Sequence, residues 1–353
     1  MKRMNIMTSC DNNLAQWIPT QITSIGVNLH EYDVHFYLFH YRITAENISA
    51  INDYCNTFEN ITFHEIIIQN LPLLEKLAEH GGNFPPEAYA WLHCHEQFPT
   101  TEERVIYIDA GDIIIHGDIS EYYFADFEGK SFVATPINGT FSEPNGTVRL
   151  LGKDDLSNRN HAKVFRDKHI SSGTVVINLE KFRINSDNIA IHYQSCINYI
   201  RTLKLEPIPS LPGAEYLGDQ GFAGLAFAGD IKLFGYEEVL RHVIGSSTKD
   251  AETVDVYKNA TYLPYNLPQV IYANDTSCWY IPVILHYGAT LPKPWTCQHT
   301  IEEIDTIDEE KLTIENLLSS VTSLRQLELR KIWQKYHETT FWAYPPPRRT
   351  IVA

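Results

Sequence analysis

Short apolar runs alternate with amphipathic segments along the first half of the chain. Apolar runs bounded by turn residues predict strands, and apolar residues at helical spacing predict helices. The predicted strands are Asn5–Ser9, Val34–Phe39, Thr62–Ile68, Val105–Ile108 and Phe132–Thr135. The predicted helices between them span residues 14–25, 46–54, 71–80 and 86–98. Strands that alternate with helices are typical of an α/β fold with a mostly parallel central sheet.

A second set of apolar runs follows a segment, 138–169, that is rich in Gly, Asn and Asp and has no clear period. Such a segment is typical of a long loop over a site. The later predicted elements are strands over 173–179, 231–234 and 281–286 and helices over 187–205 and 219–227. We expect these strands to complete the same sheet.

The chain changes character after Trp295, where it becomes acidic and then helical from about residue 314 to 337. This change predicts a main domain over residues 1–295 and a C-terminal helical extension over 296–353. The stretch 324–336 is basic, aromatic and roughly amphipathic. A helix of this kind rests on an anionic membrane surface or packs against its own domain or a second subunit, and the sequence leaves these alternatives open.

Composition narrows the class of partner. The chain has 28 basic and 44 acidic residues, a formal net charge of −16, and this field repels the phosphate backbone of nucleic acids. We therefore expect no nucleic-acid partner. A negatively charged small ligand would need positive charge at its binding site, such as a divalent cation, a lysine or a helix N-terminus.

Cysteine usage and hydropathy indicate the compartment. The six cysteines are scattered, without the spacing of a zinc site or a disulfide framework. The apolar part of the N-terminal stretch is too short for a signal peptide, and no segment reaches the roughly 18 apolar residues of a membrane span. We expect a cytoplasmic protein.

The stretch VIYIDAGDIIIHGD carries two carboxylates, Asp109 and Asp112, between apolar runs. Successive side chains of a strand point to opposite faces, so residues three apart should diverge. Gly111 between them tolerates a bulge or a positive φ that lets both carboxylates converge. At the C-terminal end of a parallel strand, such a pair suits Mg²⁺ or Mn²⁺; the alternative is a pair of turn or cap residues.

A second group of polar residues follows the apolar run IPVIL. It consists of His286, a glycine turn at Gly288, and Lys293 next to a proline. Two carboxylates and one imidazole bind a divalent metal, and a lysine adds positive charge for a phosphate. Together with the aspartate pair, these residues form a chemically coherent set.

The order of five motifs resembles glycosyltransferase family 8. They are SCDNN at the end of the first strand, YIDAGDIIIHGDI, SSGTVVINLEKFR, DQG and HYGATLPKPW. The resemblance covers roughly residues 4–295. The family contains retaining galactosyl- and glucosyltransferases of bacterial lipopolysaccharide assembly and the glycogenins. It implies a Rossmann-like GT-A fold, a UDP-sugar donor, a bound Mn²⁺ or Mg²⁺, and retention at the anomeric carbon.

The resemblance implies a role for each matching residue. Asp109 and Asp112 match the metal-binding DxD motif, and His286 matches its third protein ligand. Lys293 matches a residue on the donor diphosphate, and Gly288 belongs to the same motif.

The donor-site residues are matched in the same way. Asp11 corresponds to an acidic residue that reads the uracil, Asn13 to a nearby asparagine, and Ser9 ends the strand that carries them. Asp219 matches the residue that holds the sugar hydroxyls, and Gln220 the residue beside the anomeric carbon. Helix capping is the alternative for Asn13 and Asp219.

The sequence also departs from the family pattern. The metal motif is DxxD, one residue longer than usual, and Leu14 stands where an aromatic residue commonly stacks on the uracil. Trp91 stands where an arginine precedes the metal-motif strand, Ser171 replaces an asparagine, and Gly221 replaces a second aspartate. These departures concern nucleotide and sugar identity more than reaction type.

The resulting prediction is an enzyme that moves galactose or glucose from a UDP-sugar to a glycan acceptor, with retention and with a divalent metal on the diphosphate. The expected acceptor is a glycan or a lipid-linked glycan of a bacterial surface polysaccharide or lipopolysaccharide, reached in the cytoplasm or at the inner face of the membrane. The alternative is a domain that binds a sugar nucleotide or glycan without turnover.

Overall fold

The computed structural model of the protein describes residues 1–80, 84–136, 170–184, 193, 218–227, 230–234, 242–244, 269–271, 278–280, 283–287 and 332–340. Some predicted features lie outside these residues. They are the loop over 138–169, the helix over 187–205 apart from Tyr193, the start of the strand over 281–286, the domain boundary at residue 295, and the final helix up to residue 331.

The described strands are β1 (Lys2–Ser9), β2 (Tyr32–His40), β3 (Ile61–Ile67), β4 (Arg104–Ile108), β5 (Ile113–Ile115), β6 (Phe132–Pro136), β7 (Ile170–Asn178), β8 (Ile231–Leu233), β9 (His242–Ile244), β10 (Gln269–Ile271), β11 (Cys278–Tyr280) and β12 (Ile284–His286). Seven of them form one sheet in the order β3-β2-β1-β4-β7-β6-β8. Four of its six pairings are parallel, and β7 is antiparallel to both β4 and β6. The predicted α/β fold with a mostly parallel sheet is confirmed.

The described helices are α1 (Ile18–Asn28), α2 (Ala45–Cys55), α3 (Leu71–His80), α4 (Ser120–Tyr123), α5 (Leu179–Ile184), α6 (Gly218–Ala226) and α7 (332–340). Two 3₁₀ segments, Ala15–Trp17 and Pro86–Glu96, precede α1 and β4. The helix predicted to begin at residue 14 thus begins at Ile18, with Pro19 in its first turn, where a missing N–H costs no hydrogen bond.

Burial follows the position of each strand in the sheet. The last six residues of β1 and nearly all of β7 are buried, as expected of central strands covered on both faces. Two apolar layers line the sheet, one around Trp91 and Tyr107 and the other around Ile6 and Phe36. The site described below lies at the C-terminal ends of β1 and β4.

The prediction that strand 281–286 completes the main sheet is wrong. Its described part, β12, pairs antiparallel with β5 and parallel with β9 in a separate three-stranded sheet. Apolar character alone predicts a strand but does not fix its partners in a sheet. Gly111 has a φ of 71°, a left-handed conformation that glycine adopts without strain. The chain turns there after β4, and the Ile113–Ile115 run forms its own ladder instead of extending the main sheet.

Helix α7 packs on its own domain. Trp333 is 1% exposed and lies in a cluster with Ile114, Leu285 and Tyr287. The contact also includes hydrogen bonds from α1: Thr20 with His337 at 2.9 Å, and Asn28 with the Tyr336 hydroxyl at 2.8 Å. Of the alternatives for the C-terminal helix, packing against its own domain is therefore confirmed for residues 332–340.

No helix in the described part of the chain combines the length and the apolar composition that a membrane crossing requires.

Candidate active site

The end of β4 and the end of β12 bring together two of the predicted metal ligands. His286 Nε2 lies 3.3 Å from Asp109 Oδ2. The pairing of β12 with β5 explains why these side chains are close. His286 pairs with Ile113, which directly follows the loop of Asp109–Asp112. The backbone oxygen of Asp112 accepts a hydrogen bond from the Tyr287 amide at 2.7 Å, which holds this loop against the strand of the histidine.

The imidazole of His286 is held by close packing against Gly173 of β7. A Cβ atom at Gly173 would lie 2.2 Å from the ring Cε1, so only glycine leaves room for the ring in this position. Neither ring nitrogen has a hydrogen-bond partner among the described residues, and the contact with Asp109 lacks hydrogen-bond geometry. A buried nitrogen of this kind costs free energy unless a ligand satisfies it.

These residues fit a hard divalent cation. Adjacent ligands of an octahedral Mg²⁺ or Mn²⁺ site lie about 3 Å apart, close to the 3.3 Å between His286 and Asp109. Carboxylate oxygens suit both metals, and the imidazole favours Mn²⁺, which accepts a nitrogen ligand more readily than Mg²⁺ does. Asp112, partly buried in the same loop, is the candidate for the third ligand.

Asp109 is fixed from two sides. The Tyr107 hydroxyl donates to its Oδ1 at 2.9 Å, and Gln21 Nε2 donates to its backbone oxygen at 2.8 Å. Tyr107 lies in β4 and Asp109 directly follows this strand, so the two side chains, two residues apart, lie on the same side. The Asp109 amide in turn donates to the Gly173 oxygen at 3.0 Å.

Asp219, in the first turn of α6, is a further carboxylate of the site, beside Asp109 and Asp112. Its Oδ2 accepts a hydrogen bond from Trp91 Nε1 at 2.7 Å. Burial and the charge of Asp109 raise the pKa of Asp219 to about 7, while hydrogen bonds from Trp91, Ser172 and the Gln220 amide oppose that rise in pKa. Asp219 therefore lies close to Asp109, one of the predicted metal ligands, and the Gln220 amide is hydrogen-bonded to Asp219.

Trp91 was noted in the sequence only as a departure from the family pattern, and its partner could not be read there. The indole is fully buried, stacks on Tyr107 with ring centroids 5.6 Å apart, and contacts Phe132 edge-on. The indole N–H is thus a neutral donor to Asp219. No periodicity marks this role, because the 3₁₀ segment Pro86–Glu96 has no apolar face of helical spacing.

Asp11 and Asn13 form a tight turn after β1. Asp11 Oδ1 accepts the amides of Asn13 and Leu14 at 3.0 and 3.1 Å, and Asp11 Oδ2 accepts Asn13 Nδ2 at 2.9 Å. Ser9 is buried at the end of β1. The structure therefore gives Asp11 and Asn13 a local structural role, and the carboxylate is held in a fixed orientation.

The remaining predicted donor-site residues, Gly288 and Lys293, lie outside the described residues. Tyr107, Gly173 and Trp91 are the contributors that the sequence analysis did not assign. Tyr107 could be predicted, since it lies in the strand that Asp109 follows and precedes Asp109 by two residues, whereas the role of Gly173 depends on a contact with a distant strand.

Comparison with known proteins identifies the family. A model described as glycosyl transferase family 8 matches residues 5–210. No curated protein matches the sequence. Among solved structures, the galactosyltransferase LgtC in complex with donor and acceptor sugar analogues is 15% identical with a TM-score of 0.57, over 94% of this chain and 100% of that chain.

Two further solved structures resemble the chain. The bifunctional glycosyltransferase WbbM is 14% identical with a TM-score of 0.53, over 94% of this chain and 51% of that chain. GlyE of Streptococcus pneumoniae TIGR4 is 15% identical with a TM-score of 0.51, over 96% of this chain and 64% of that chain. These likenesses establish the GT-A fold, and the family match spans more than half of the 353 residues. The chain therefore belongs to glycosyl transferase family 8 and is a glycosyltransferase.

Proposed function

We propose that this protein transfers galactose or glucose from a UDP-sugar to a glycan acceptor, with retention, and that Mn²⁺ or Mg²⁺ binds at Asp109, Asp112 and His286. The observation that carries the proposal is the 3.3 Å approach of His286 Nε2 to Asp109 Oδ2 across two sheets. Similarity to LgtC, solved with donor and acceptor sugar analogues, supports a sugar donor and a sugar acceptor.

The position of the proposed metal ligands at the end of the sheet supports a role in binding the donor diphosphate. Open α/β sheets bind ligands beyond the carboxyl ends of their strands, and Asp109 follows the last residue of β4. A cation bound there stabilises the negative charge that the diphosphate gains as the bond to the sugar breaks. Lys293 is proposed to add a second positive charge, with Gly288 in the turn that leads to it.

The sugar is proposed to lie between the metal ligands and α6. Asp219, fixed by Trp91 at 2.7 Å, would accept hydrogen bonds from the sugar hydroxyls, and Gln220 would lie beside the anomeric carbon. An amide is a weak nucleophile, so Gln220 would position the sugar. The proton of the acceptor hydroxyl would pass to the departing phosphate oxygen on the same face, which gives retention.

The nucleoside is proposed to bind at the turn after β1. The Asp11 carboxylate, held by the Asn13 and Leu14 amides, would accept a hydrogen bond from the uracil. Asn13 and Ser9 would line the same end of the sheet.

A lipopolysaccharide or another bacterial surface glycan is the proposed acceptor. Contact of the C-terminal extension with an anionic membrane stays a prediction, which co-sedimentation of the full chain with anionic vesicles tests.

A hydrolysis assay tests the proposal without knowledge of the acceptor. A panel of nucleotide sugars is incubated with the full chain and Mn²⁺, and UDP release is measured with and without EDTA. We expect release from UDP-galactose or UDP-glucose that EDTA abolishes. Asp112→Asn should abolish it as well, while Asp118→Asn, which changes an exposed aspartate that follows β5 and accepts hydrogen bonds from Ser120, should leave it intact.

The outcomes separate the two functions. Calorimetric binding of a UDP-sugar without UDP release, whichever acceptor is added, supports the alternative of a non-catalytic sugar-nucleotide or glycan-binding domain. Release that persists in EDTA, or in Asp112→Asn, overturns the metal assignment.

A further inference from the structure

A second group of metal-ligating side chains lies at the end of the 3₁₀ segment Pro86–Glu96. His93, His95 and Glu96 each offer one ligand atom, and these atoms all lie within 4.8 Å of one another. The two imidazole centroids are 4.8 Å apart. None of these residues belongs to the candidate active site.

The backbone explains how two histidines so close in sequence meet. Residues two apart in a regular helix point about 200° apart around its axis, which would place their side chains on opposite sides. His93 instead has φ −138° and ψ 27°, outside the helical region. This break turns both imidazoles to one side, while Cys94 between them is buried in the core.

His95 is the unusual member of the group. It is 1% exposed, and neither of its ring nitrogens has a hydrogen-bond partner among the described residues. An unsatisfied buried donor or acceptor costs about 1–3 kcal/mol. Burial also lowers the pKa of His95 to about 3 and lowers the pKa of His93, so both rings are neutral near pH 7. The neutral imidazole is the form that ligates a metal.

We propose that His93, His95 and Glu96 bind a transition-metal ion of the zinc class. Two imidazoles and a carboxylate are a donor set that zinc prefers, with a fourth position for water. Ligand atoms of tetrahedral zinc lie about 3.4 Å apart, so the most distant pair of ligand atoms, within 4.8 Å, must approach by up to about 1.4 Å. Glu96 can close on the histidines, because its side chain is 54% exposed and its Oε2 already lies 3.8 Å from His93 Nδ1.

Two neighbours bear on the site. Arg183 is a nearby cation, but its guanidinium donates to the backbone oxygens of Pro99, Thr100 and Glu102, which offset its charge. Asn70 Nδ2 lies 3.4 Å from His93 Nδ1, a long hydrogen bond that ligation through this nitrogen would replace. A cation here would brace the segment that carries Trp91, two residues before His93.

Calorimetry with Zn²⁺ on the EDTA-treated full chain tests the site. All measurements use a chain that carries Asp112→Asn (the background variant), because this substitution should weaken metal binding at the candidate active site. We expect zinc binding in this background, weakened at least about tenfold by Glu96→Gln because a ligand is lost. The matched control Glu75→Gln, at an exposed position of α3, should leave the affinity unchanged.

The visible absorption of bound Co²⁺ is a second readout, which reports the coordination of the metal. Co²⁺ bound in a four-coordinate site with nitrogen ligands gives visible absorption, and we expect these bands in the background variant and their loss in Glu96→Gln. The exposed glutamate is the test position because a change of buried His95 could prevent folding. Absence of zinc binding in the background, or equal affinity in the Glu96→Gln and Glu75→Gln variants, overturns the proposal.

Discussion

Trp91 Nε1 donates a hydrogen bond of 2.7 Å to Asp219 Oδ2, and this bond joins a residue of the 3₁₀ segment to the first turn of α6. The same indole stacks on Tyr107, whose hydroxyl donates to Asp109. The proposed sugar-binding carboxylate and the proposed metal-binding carboxylate are thus oriented by two aromatic residues in contact. The position of Asp219 relative to Asp109 depends on this pair.

We expect Trp91→Phe to reduce UDP-sugar hydrolysis by more than tenfold in kcat. The phenyl ring keeps most of the packing on Tyr107 but removes the N–H. A hydrogen bond to a charged group contributes about 1.5–3 kcal/mol, and 1.4 kcal/mol corresponds to about tenfold in rate. Steady-state kinetics with separate kcat and KM values measure the effect, and a wild-type kcat would show that Trp91 does not position Asp219.

The neighbouring residue Tyr89 provides the control. Its hydroxyl is buried and has no hydrogen-bond partner among the described residues. Tyr89→Phe removes a polar group that is costly to bury, so the melting temperature should stay the same or rise and the hydrolysis rate should stay unchanged.

The fold and much of the site were open to prediction because their signals are local. Each parallel strand is a short apolar run, and Asp109 and Asp112 stand at a strand end with the glycine that lets the chain turn. The predicted conformation of Gly111 is confirmed, with a φ of 71°.

The rest depends on pairings between residues far apart in the chain. Apolar character marks 284–286 as a strand, but nothing within it tells that its partners are β5 and β9. The contact of Gly173 with His286 and the bond from Trp91 to Asp219 link segments more than a hundred residues apart. Such contacts follow from the packing of whole elements.

Gly173→Ala should weaken Mn²⁺ binding without unfolding the protein. The new Cβ would lie 2.2 Å from His286 Cε1, and the imidazole would have to rotate away from Asp109. We expect the Mn²⁺ concentration for half-maximal hydrolysis to rise at least about tenfold, as for loss of a metal-orienting contact. A Mn²⁺ titration of UDP release measures this rise.

Gly129→Ala is the matched glycine control. Gly129 has a φ of 72° and no atom within 4 Å of its added Cβ. The substitution strains the backbone and should lower the melting temperature, but it leaves the His286 ring untouched. An equal change in Mn²⁺ requirement for both variants would contradict the proposed role of Gly173.

Trp333→Phe should lower both the melting temperature and the affinity for Mn²⁺. Trp333 is buried against Trp17, which precedes α1, and against Ile114 and Leu285 of the three-stranded sheet. Its Nε1 lies 3.4 Å from the backbone oxygen of Gly111, between the two aspartates. A smaller ring leaves a void, which costs about 1–3 kcal/mol for a change of this size. Thr339→Ala, at an exposed position of α7, should change neither quantity, and equal melting curves for the two variants would contradict the docking of this helix.

His116 should make the stability of the protein fall at acid pH. Its Nδ1 lies 2.9 Å from the Tyr336 hydroxyl of α7, and burial, with a smaller effect of Lys335, lowers its pKa. Below the ordinary histidine pKa of about 6.5, His116 binds a proton in the unfolded chain but less readily in the folded chain. The free energy of unfolding therefore decreases as the pH falls.

His116→Gln removes this titration, and its melting temperature should fall less than that of the wild type between pH 7.5 and about 5.5. Differential scanning calorimetry at the two pH values measures the difference, with the exposed His30→Gln as the control for loss of an imidazole. If the melting temperature of His116→Gln falls as steeply as that of the wild type, protonation of His116 does not weaken the contact with α7.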